Sequence, residues 1–270
     1  MNRAIVTSFD ANYFQYSMVL VKTFADNYNG PDLLDFICLV PLDLIDRERE
    51  YIETVNVSNK LRIQFRSSQK FEELVSTERY NFDKLDYITS NAMQRIFLAS
   101  TLHEYDEVIY LDPDTMVLRD VQPLLSYPLF NKIAAMPEPR NPSRQFGGPD
   151  VPYFNNGVFI TTLEYWRAQA LETKMVEWLL ATEDLPNCIE QDAMNQVLKT
   201  AWAPLSPTCN FWATFATYGL YTEADPLIVH FIGRYKPWIN YSDITDLETA
   251  WRKFYLELFP DATFHEQSGN

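Results

Sequence analysis

The chain has 270 residues, 47% hydrophobic and 22% charged, with 16 Pro and only 7 Gly, which is enough apolar material for a sizeable core and excludes disordered, collagen-like and low-complexity classes. Asp and Glu number 37 against 22 Lys and Arg, and the net charge of −15 works against a sequence-independent grip on nucleic-acid phosphates or an anionic membrane surface. Three cysteines, Cys38, Cys188 and Cys209, form no C-x-x-C pair; they exclude a disulfide framework and fit a reducing cytoplasm.

Residues 3–7 read as a buried first strand, reached before any signal-like apolar stretch develops. Phe14, Met18, Val21 and Phe24 fall near helical spacing and predict a crossover helix over 13–26. A second strand over 36–40 is closed by Pro41, and a helix over 43–54, a strand over 62–65 and a helix over 89–102 follow. The clearest strand is 107–111, followed at once by Asp112-Pro113-Asp114. Strands over 132–136 and 157–162 flank a Pro/Gly/Asn-rich loop, 137–156, long enough to be functional. Helices over 164–182 and 191–199, a strand over 227–231 and a terminal helix over 246–258 complete the pattern. Short apolar runs alternating with helical patterns are the signature of an α/β chain whose central sheet is mostly parallel and flanked by helices. The most apolar window, 33–45, contains Asp35, Pro41 and Asp43 and falls short of the roughly 20 residues that span a bilayer, so no integral membrane segment is expected.

Asp112 and Asp114 stand at i and i+2, so on an extended backbone both carboxylates point to one side, with Cα atoms roughly 7 Å apart. In open α/β sheets ligands collect beyond the carboxyl ends of such strands. Two hard oxygen donors there suit a Mg²⁺ or Mn²⁺ ion bridging a diphosphate, although acidic residues around a proline also make an ordinary polar turn. The same string, with Thr115, resembles the Asp-x-Asp-x-Thr nucleophile loop of haloacid-dehalogenase-type phosphatases. That motif normally opens a chain, and no later strand here ends in the paired aspartates that would complete its metal site. A second constellation lies near the C-terminus: a strand ends around His230, Gly233 allows close backbone approach, and Lys236 supplies a cation beside the rigid corner Pro237-Trp238. His230 would complete an Asp/Asp/His set suited to Mn²⁺.

With Val6-Thr7, Tyr110-Leu111-Asp112-Pro113-Asp114, Phe154-Asn155-Asn156-Gly157-Val158-Phe159, Glu190-Gln191-Asp192-Ala193-Met194-Asn195 and His230 through Trp238 in this order, the chain resembles glycosyltransferase family 8, the group of glycogenin and the bacterial lipo-oligosaccharide α-galactosyltransferases. The resemblance, which runs from about residue 4 to residue 238, implies a single-domain Rossmann-like nucleotide-sugar transferase fold of the GT-A type; with no repeat or clean linker, the chain reads as one catalytic domain over residues 1–239 and a helical extension over 240–270. It implies an enzyme that moves a hexose (glucose, galactose or N-acetylhexosamine) with retention from a UDP-sugar donor to a saccharide, glycolipid or protein acceptor. By the same resemblance Asp112, Asp114 and His230 hold Mn²⁺, with Mg²⁺ as the alternative, while Gly233 and Lys236 grip the diphosphate. Thr7 and Tyr13 lie where the family holds uridine, and Arg95 matches a basic position that contacts phosphate or donor sugar. Glu138 falls where the family usually has an Asp on donor hydroxyls, and Asn155 opens an Asn-x-Gly turn beside the sugar. Glu190 and Gln191 replace the commoner Asp-Gln pair and, with Arg95, are the catalytic candidates, an amide or carboxylate there sheltering positive charge on the sugar ring.

Two other classes stay in view. A scaffold that binds UDP-sugar or glycan without turnover would not need Asp112, Asp114, His230 and Lys236 together. A nucleotidyltransferase needs a Gly-rich phosphate loop after its first strand, which residues 8–13 lack. Phe211, Trp212, Phe215, Tyr218 and Tyr221 offer stacking surfaces for an acceptor or serve equally as core. Beyond Asn240 the tail is acidic, which argues against electrostatic membrane docking. The apolar face of its helix packs on the domain or on a partner subunit, so a homo-oligomer is among the expected partners.

Overall fold

The structure is a computed structural model describing residues 1–57, 59–76, 90–129, 133–139, 151–182, 188–217, 219–220, 225–234, 236–240 and 244–266. Thr89, Tyr218, Tyr221 and most of the expected loop 137–156 lie outside the described residues. The strands are β1 (Arg3–Ser8), β2 (Leu34–Leu39), β3 (Leu61–Arg66), β4 (Glu107–Leu111), β5 (Thr115–Val117), β6 (Ile133–Pro137), β7 (Phe154–Thr162), β8 (Trp202–Pro204), β9 (Phe211–Trp212), β10 (Ile228–His230), β11 (Ile239–Asn240) and β12 (His265–Glu266). The α-helices are α1 (Ser17–Asn27), α2 (Glu48–Val55), α3 (Gln69–Val75), α4 (Leu98–Thr101), α5 (Gln122–Leu125), α6 (Leu163–Ala168), α7 (Leu171–Ala181), α8 (Ile189–Leu198), α9 (Ala213–Thr217) and α10 (Asp246–Leu258).

Seven strands form the main sheet in the order β3-β2-β1-β4-β7-β6-β8. β1, β2, β3 and β4 are mutually parallel, and β7 alone runs against its neighbours β4 and β6. Both faces of the sheet are covered. Ile5, Phe36 and Ile109 belong to one apolar cluster and Val6, Ile37 and Tyr110 to another, which is why β1, β2 and β4 are nearly continuous apolar runs rather than alternating ones. The small sheet β5-β10-β9 lies after the carboxyl end of β4, and α10 packs on it through Trp251 and Tyr255.

Several elements differ from the pattern read in the sequence, each for a local reason. The first helix starts at Ser17 rather than residue 13, because the Asp10 carboxylate takes the Asn12 main-chain N–H at 2.9 Å and winds 11–16 into turns. The segment expected as a helix over 89–102 is a 3₁₀ helix, Ser90–Phe97, running into α4. The helix expected over 164–182 is broken into α6 and α7 at Ala170, which adopts φ 51°. That left-handed residue costs about 1 kcal/mol, and the break lets Trp166 and Leu171 both reach the core. Finally, β7 begins at Phe154, so Asn155, Asn156 and Gly157 lie in a strand and not in a turn. The irregularity that the Asn-Gly pair foreshadows is a register shift opposite Ala135 and Met136.

Candidate active site

The antiparallel course of β7 decides what meets at the carboxyl end of the sheet. Its first residues come up beside the last residues of β4 and β6, so Asn155, Asn156 and Gly157 join Asp112 and Glu138 there. A cavity of about 440 Å³ opens at this edge. Ser8, Phe9 and Tyr13 wall it from the end of β1, Arg95 from the 3₁₀ helix, and Asp112 and Asp114 from beyond β4. Glu138, Asn155, Cys188, Glu190 and Gln191 close one side, and Trp212, His230, Gly233 and Lys236 the other. Gly233 takes φ 72°, where a side chain would be strained.

Pairing of β10 with β5 sets His230 opposite Thr115 and brings the imidazole to the two aspartates. One ligand atom from each of Asp112, Asp114 and His230 lies within 4.8 Å of the others. Each carboxylate divides its oxygens. Asp112 Oδ1 receives Arg95 Nη2 at 2.6 Å and the Tyr110 hydroxyl at 3.3 Å, leaving Oδ2 at 3.6 Å from His230 Nε2. Asp114 gives Oδ2 to Lys236 and turns Oδ1, buried and without a well-aligned donor, toward His230 Nε2 at 3.2 Å.

The tautomer of His230 follows from a main-chain N–H three groups away. Gly157 N–H donates to Asn155 Oδ1 at 3.0 Å, which makes that atom the carbonyl oxygen. Asn210 therefore presents its amide nitrogen to it, at 2.8 Å, and its oxygen to His230 Nδ1, at 2.9 Å. Nδ1 is thus the protonated nitrogen, and the lone pair of Nε2 faces two carboxylate oxygens, an arrangement stable only with a proton or a cation between them. Gly157 leaves the room for it: a Cβ there would overlap the His230 ring and stand 2.6 Å from Asp112 Oδ2. This donor set, two carboxylates and an oriented imidazole, fits Mn²⁺ or Mg²⁺.

Charge at the site is strongly coupled. Burial alone would raise the Asp114 carboxyl, but Lys236 and then His230 hold it well below the ordinary carboxylate range. Burial raises the Tyr13 hydroxyl, and the negative charges of Asp114 and Asp112 push it the same way. Burial pushes Glu138 up to about 7 against the hydrogen bonds it receives from Asn155 and Gln191. Glu190 is likewise raised by burial, with Arg95 opposing, and its Oε2 is buried without a hydrogen-bond partner.

The placements refine the roles expected from sequence. Thr7 is fully buried and forms no part of the cavity wall; its neighbours Ser8 and Phe9 do, with the Ser8 hydroxyl tied to Tyr110 at 2.6 Å. Arg95 is committed to scaffold contacts: Nη2 to Asp112, Nη1 to the Asn156 carbonyl and side-chain oxygens at 3.1 Å each, and Nε to the Ala92 carbonyl at 2.9 Å. Gln191 accepts from Asn155 Nδ2 at 3.0 Å and Asn156 N–H at 3.1 Å and donates to Glu138 at 3.0 Å and Tyr153 Oη at 3.1 Å. Of the aromatics considered for an acceptor, Phe211 and Phe215 are core, and Trp212 reaches the cavity. Asn210 and Tyr153, which the sequence did not single out, support the site together with Tyr110, which the sequence marked only as part of a motif. Asn210 stands before two aromatics in a Pro-Thr-Cys-Asn turn, a signal for a bend and nothing more.

The sequence model of glycosyl transferase family 8 matches residues 4–242. The chain belongs to that family. Among solved structures, the family 8 chain shares its fold with the galactosyltransferase LgtC in complex with donor and acceptor sugar analogues, at TM-score 0.76, 20% identity and coverage of 94% of this chain and 95% of that one. The architecture is therefore that of a GT-A glycosyltransferase. In sequence it is 28% identical to general stress protein A of Bacillus subtilis over 56% of this chain and 60% of that protein. It is 27% identical to the lipopolysaccharide 1,2-glucosyltransferase of Escherichia coli, over 61% and 55%. It is 25% identical to glycosyltransferase GlyD of Streptococcus pneumoniae over 95% of this chain, which corresponds to only 31% of GlyD; the chain spans between 25% and 60% of the length of the curated relatives it matches first. Among the described residues, no helix is long and apolar enough to cross a membrane.

Proposed function

We propose that this glycosyltransferase moves a hexose with retention from a UDP-sugar to a saccharide, glycolipid or protein acceptor, using Mn²⁺ held by Asp112, Asp114 and His230. The observation that carries the reading is the inward face made by Asp112 Oδ2, Asp114 Oδ1 and His230 Nε2 at the head of the cavity. Relatives named as a galactosyltransferase and a glucosyltransferase support a hexose donor.

When bound, the metal ion neutralises charge that develops on the diphosphate as it departs. Lys236, already paired with Asp114, adds a fixed positive charge at that end of the cavity, and Gly233 keeps the backbone close enough to approach phosphate oxygens. Tyr13 and Ser8 flank the space for the base and ribose. Glu138, Asn155 and Glu190 converge on the other side, where they offer acceptors and an amide donor to sugar hydroxyls. Gln191 holds its amide by four hydrogen bonds and presents a fixed dipole to the ring carbon rather than a nucleophile, which favours a front-face displacement. Arg95 orients Asp112 and Asn156.

UDP release from a panel of UDP-sugars, with and without Mn²⁺, in wild type and Asp114→Asn, tests this without a known acceptor. Release confined to one or two donors, dependent on Mn²⁺ and lost in the variant, is the expected result. Binding without release for every donor would make the chain a scaffold, and no binding at all would remove the Asp/Asp/His assignment.

A further inference from the structure

Helix α10 begins at Asp246, beyond residue 242 where the family match ends, yet it bonds to the chain beside Lys236 and beside Tyr13, which wall the cavity from two sides. On one edge Arg252 turns its planar guanidinium onto the segment that follows Lys236. Nε donates to the Pro237 carbonyl at 2.7 Å, Nη2 to the Ile239 carbonyl at 2.8 Å, and Nη1 to Asn240 Oδ1 at 3.0 Å. The Phe264 ring covers the guanidinium at 4.4 Å from Cζ, and the Phe264 carbonyl takes the Asn240 amide at 2.9 Å. On the other edge Tyr255 Oη donates to Gln15 Oε1 at 3.0 Å, in the turns that carry Tyr13. Between the two edges, Trp251 is fully buried and packs on Trp238 at 5.4 Å and on Tyr16 at 6.0 Å. Trp238 lies flat on Tyr16, ring centres 4.0 Å apart, and meets Tyr13 edge-on at 5.5 Å.

A guanidinium whose donors end on main-chain carbonyls and a side-chain amide fixes a chain path, because its donors lie in one rigid plane and match acceptors only in one arrangement. A lysine ammonium at the same place cannot reproduce the fork. The aromatic stack through Trp251, Trp238 and Tyr16 then transmits that path across the cavity mouth, since packed rings have few alternative arrangements.

We propose that α10 is a brace that sets the separation of Tyr13 and Lys236, with Arg252 as its positioning residue; this rests on the reading above that Tyr13 flanks the base and ribose of UDP and Lys236 its diphosphate. The brace pre-organises the segment 236–240, so that nucleotide binding does not carry the entropy cost of ordering it. Its loss therefore weakens binding more than it slows the bound complex.

The experiment measures UDP affinity by titration calorimetry with Mn²⁺ present, donor KM and kcat, and hydrogen exchange of peptides covering residues 231–240. Arg252→Met is expected to bind UDP about ten-fold more weakly, the worth of one to two net hydrogen bonds, with KM raised more than kcat is lowered and faster exchange confined to 231–240 and the turns around Gln15. Arg252→Lys falls between it and wild type, and Lys253→Met, the next and exposed cation on the helix, matches wild type. Unchanged UDP affinity in the Arg252 variants, or exchange in 231–240 as slow as in wild type, overturns the brace. Failure of wild type itself to bind UDP refutes the nucleotide reading instead, and the exchange data still judge the brace. Should Arg252→Met not fold, Arg252→Lys and Tyr255→Phe carry the same measurements.

Discussion

Asn210 Oδ1 stands 2.9 Å from His230 Nδ1, and this contact decides which ring nitrogen faces Asp112 and Asp114. Supports of this kind beneath a metal-binding histidine typically change affinity by about 10–100-fold when removed. Asn210→Leu is therefore expected to weaken Mn²⁺ binding by that order, read as the free-Mn²⁺ signal in an electron paramagnetic resonance titration. Wild-type affinity in the variant would show that β10 alone orients the ring.

Gly157→Ala places a methyl group against the same imidazole and 2.6 Å from Asp112 Oδ2. Because the glycine sits in β7 with an ordinary strand conformation, the sheet survives and the site does not. The expected outcome is a native far-ultraviolet circular dichroism spectrum with Mn²⁺-dependent UDP release lost; retained release would mean the ring has room to move.

Arg95 is buried and bridges Asp112, just beyond β4, and Asn156, in β7. Arg95→Met leaves the Asp112 carboxylate short of its cation and is expected to cost about 3 kcal/mol in urea denaturation, typical for breaking one side of a buried pair. Arg95→Lys recovers less than half of this, since one ammonium cannot serve Asp112 and the Asn156 carbonyl together.

Glu138 gives the molecule a pH dependence with a definite sign. Burial raises its carboxyl to about 7 from an ordinary 4.5, so the folded protein keeps a proton that the unfolded chain has lost. Its contribution to stability is whole below about pH 4.5 and is lost as pH rises through about 7. The melting temperature of wild type minus that of Glu138→Gln should accordingly fall between pH 4.5 and 7 and then level off, whereas a difference constant over that window would place the carboxyl in contact with water.

Thr7 Oγ1 is buried with no hydrogen-bond partner, a cost that an apolar side chain of the same shape avoids. Thr7→Val should match or exceed wild-type stability by up to about 1 kcal/mol and leave UDP affinity unchanged, the latter distinguishing a packing residue from a uridine contact.

What could be read from the sequence was what is local in it. Asp112 and Asp114 sit two residues apart in the turn that follows an apolar strand, and His230, Gly233 and Lys236 fall within seven residues from the end of another, so short sequence separation alone keeps each set together. The parallel core was equally legible in the apolar runs. The antiparallel sense of β7 was not, because a strand's direction depends on where its neighbours lie, and this hid the fact that Asn155 enters the site from a strand. Asn210 and Tyr153 escaped for a related reason: they act through partners far along the chain, Asn155 and His230 for the first and Gln191 and Asp192 for the second. Helix lengths were overestimated at 13–26 and 164–182, where Asp10 and Ala170 redirect a backbone whose apolar period continues past them.

The small sheet β5-β10-β9 also dates the site within the history of each molecule. As the chain is synthesised, the main sheet has all its strands once β8 is made, while His230 and Lys236 follow some seconds later at about 5–20 residues per second. During that interval Asp112 and Asp114 lack Lys236 and His230, the two groups that stand against Asp114 in the complete fold. The Asp/Asp/His cluster is consequently completed late in synthesis, and a nascent chain arrested before β10 would carry every strand of the main sheet but only the two carboxylates of that cluster.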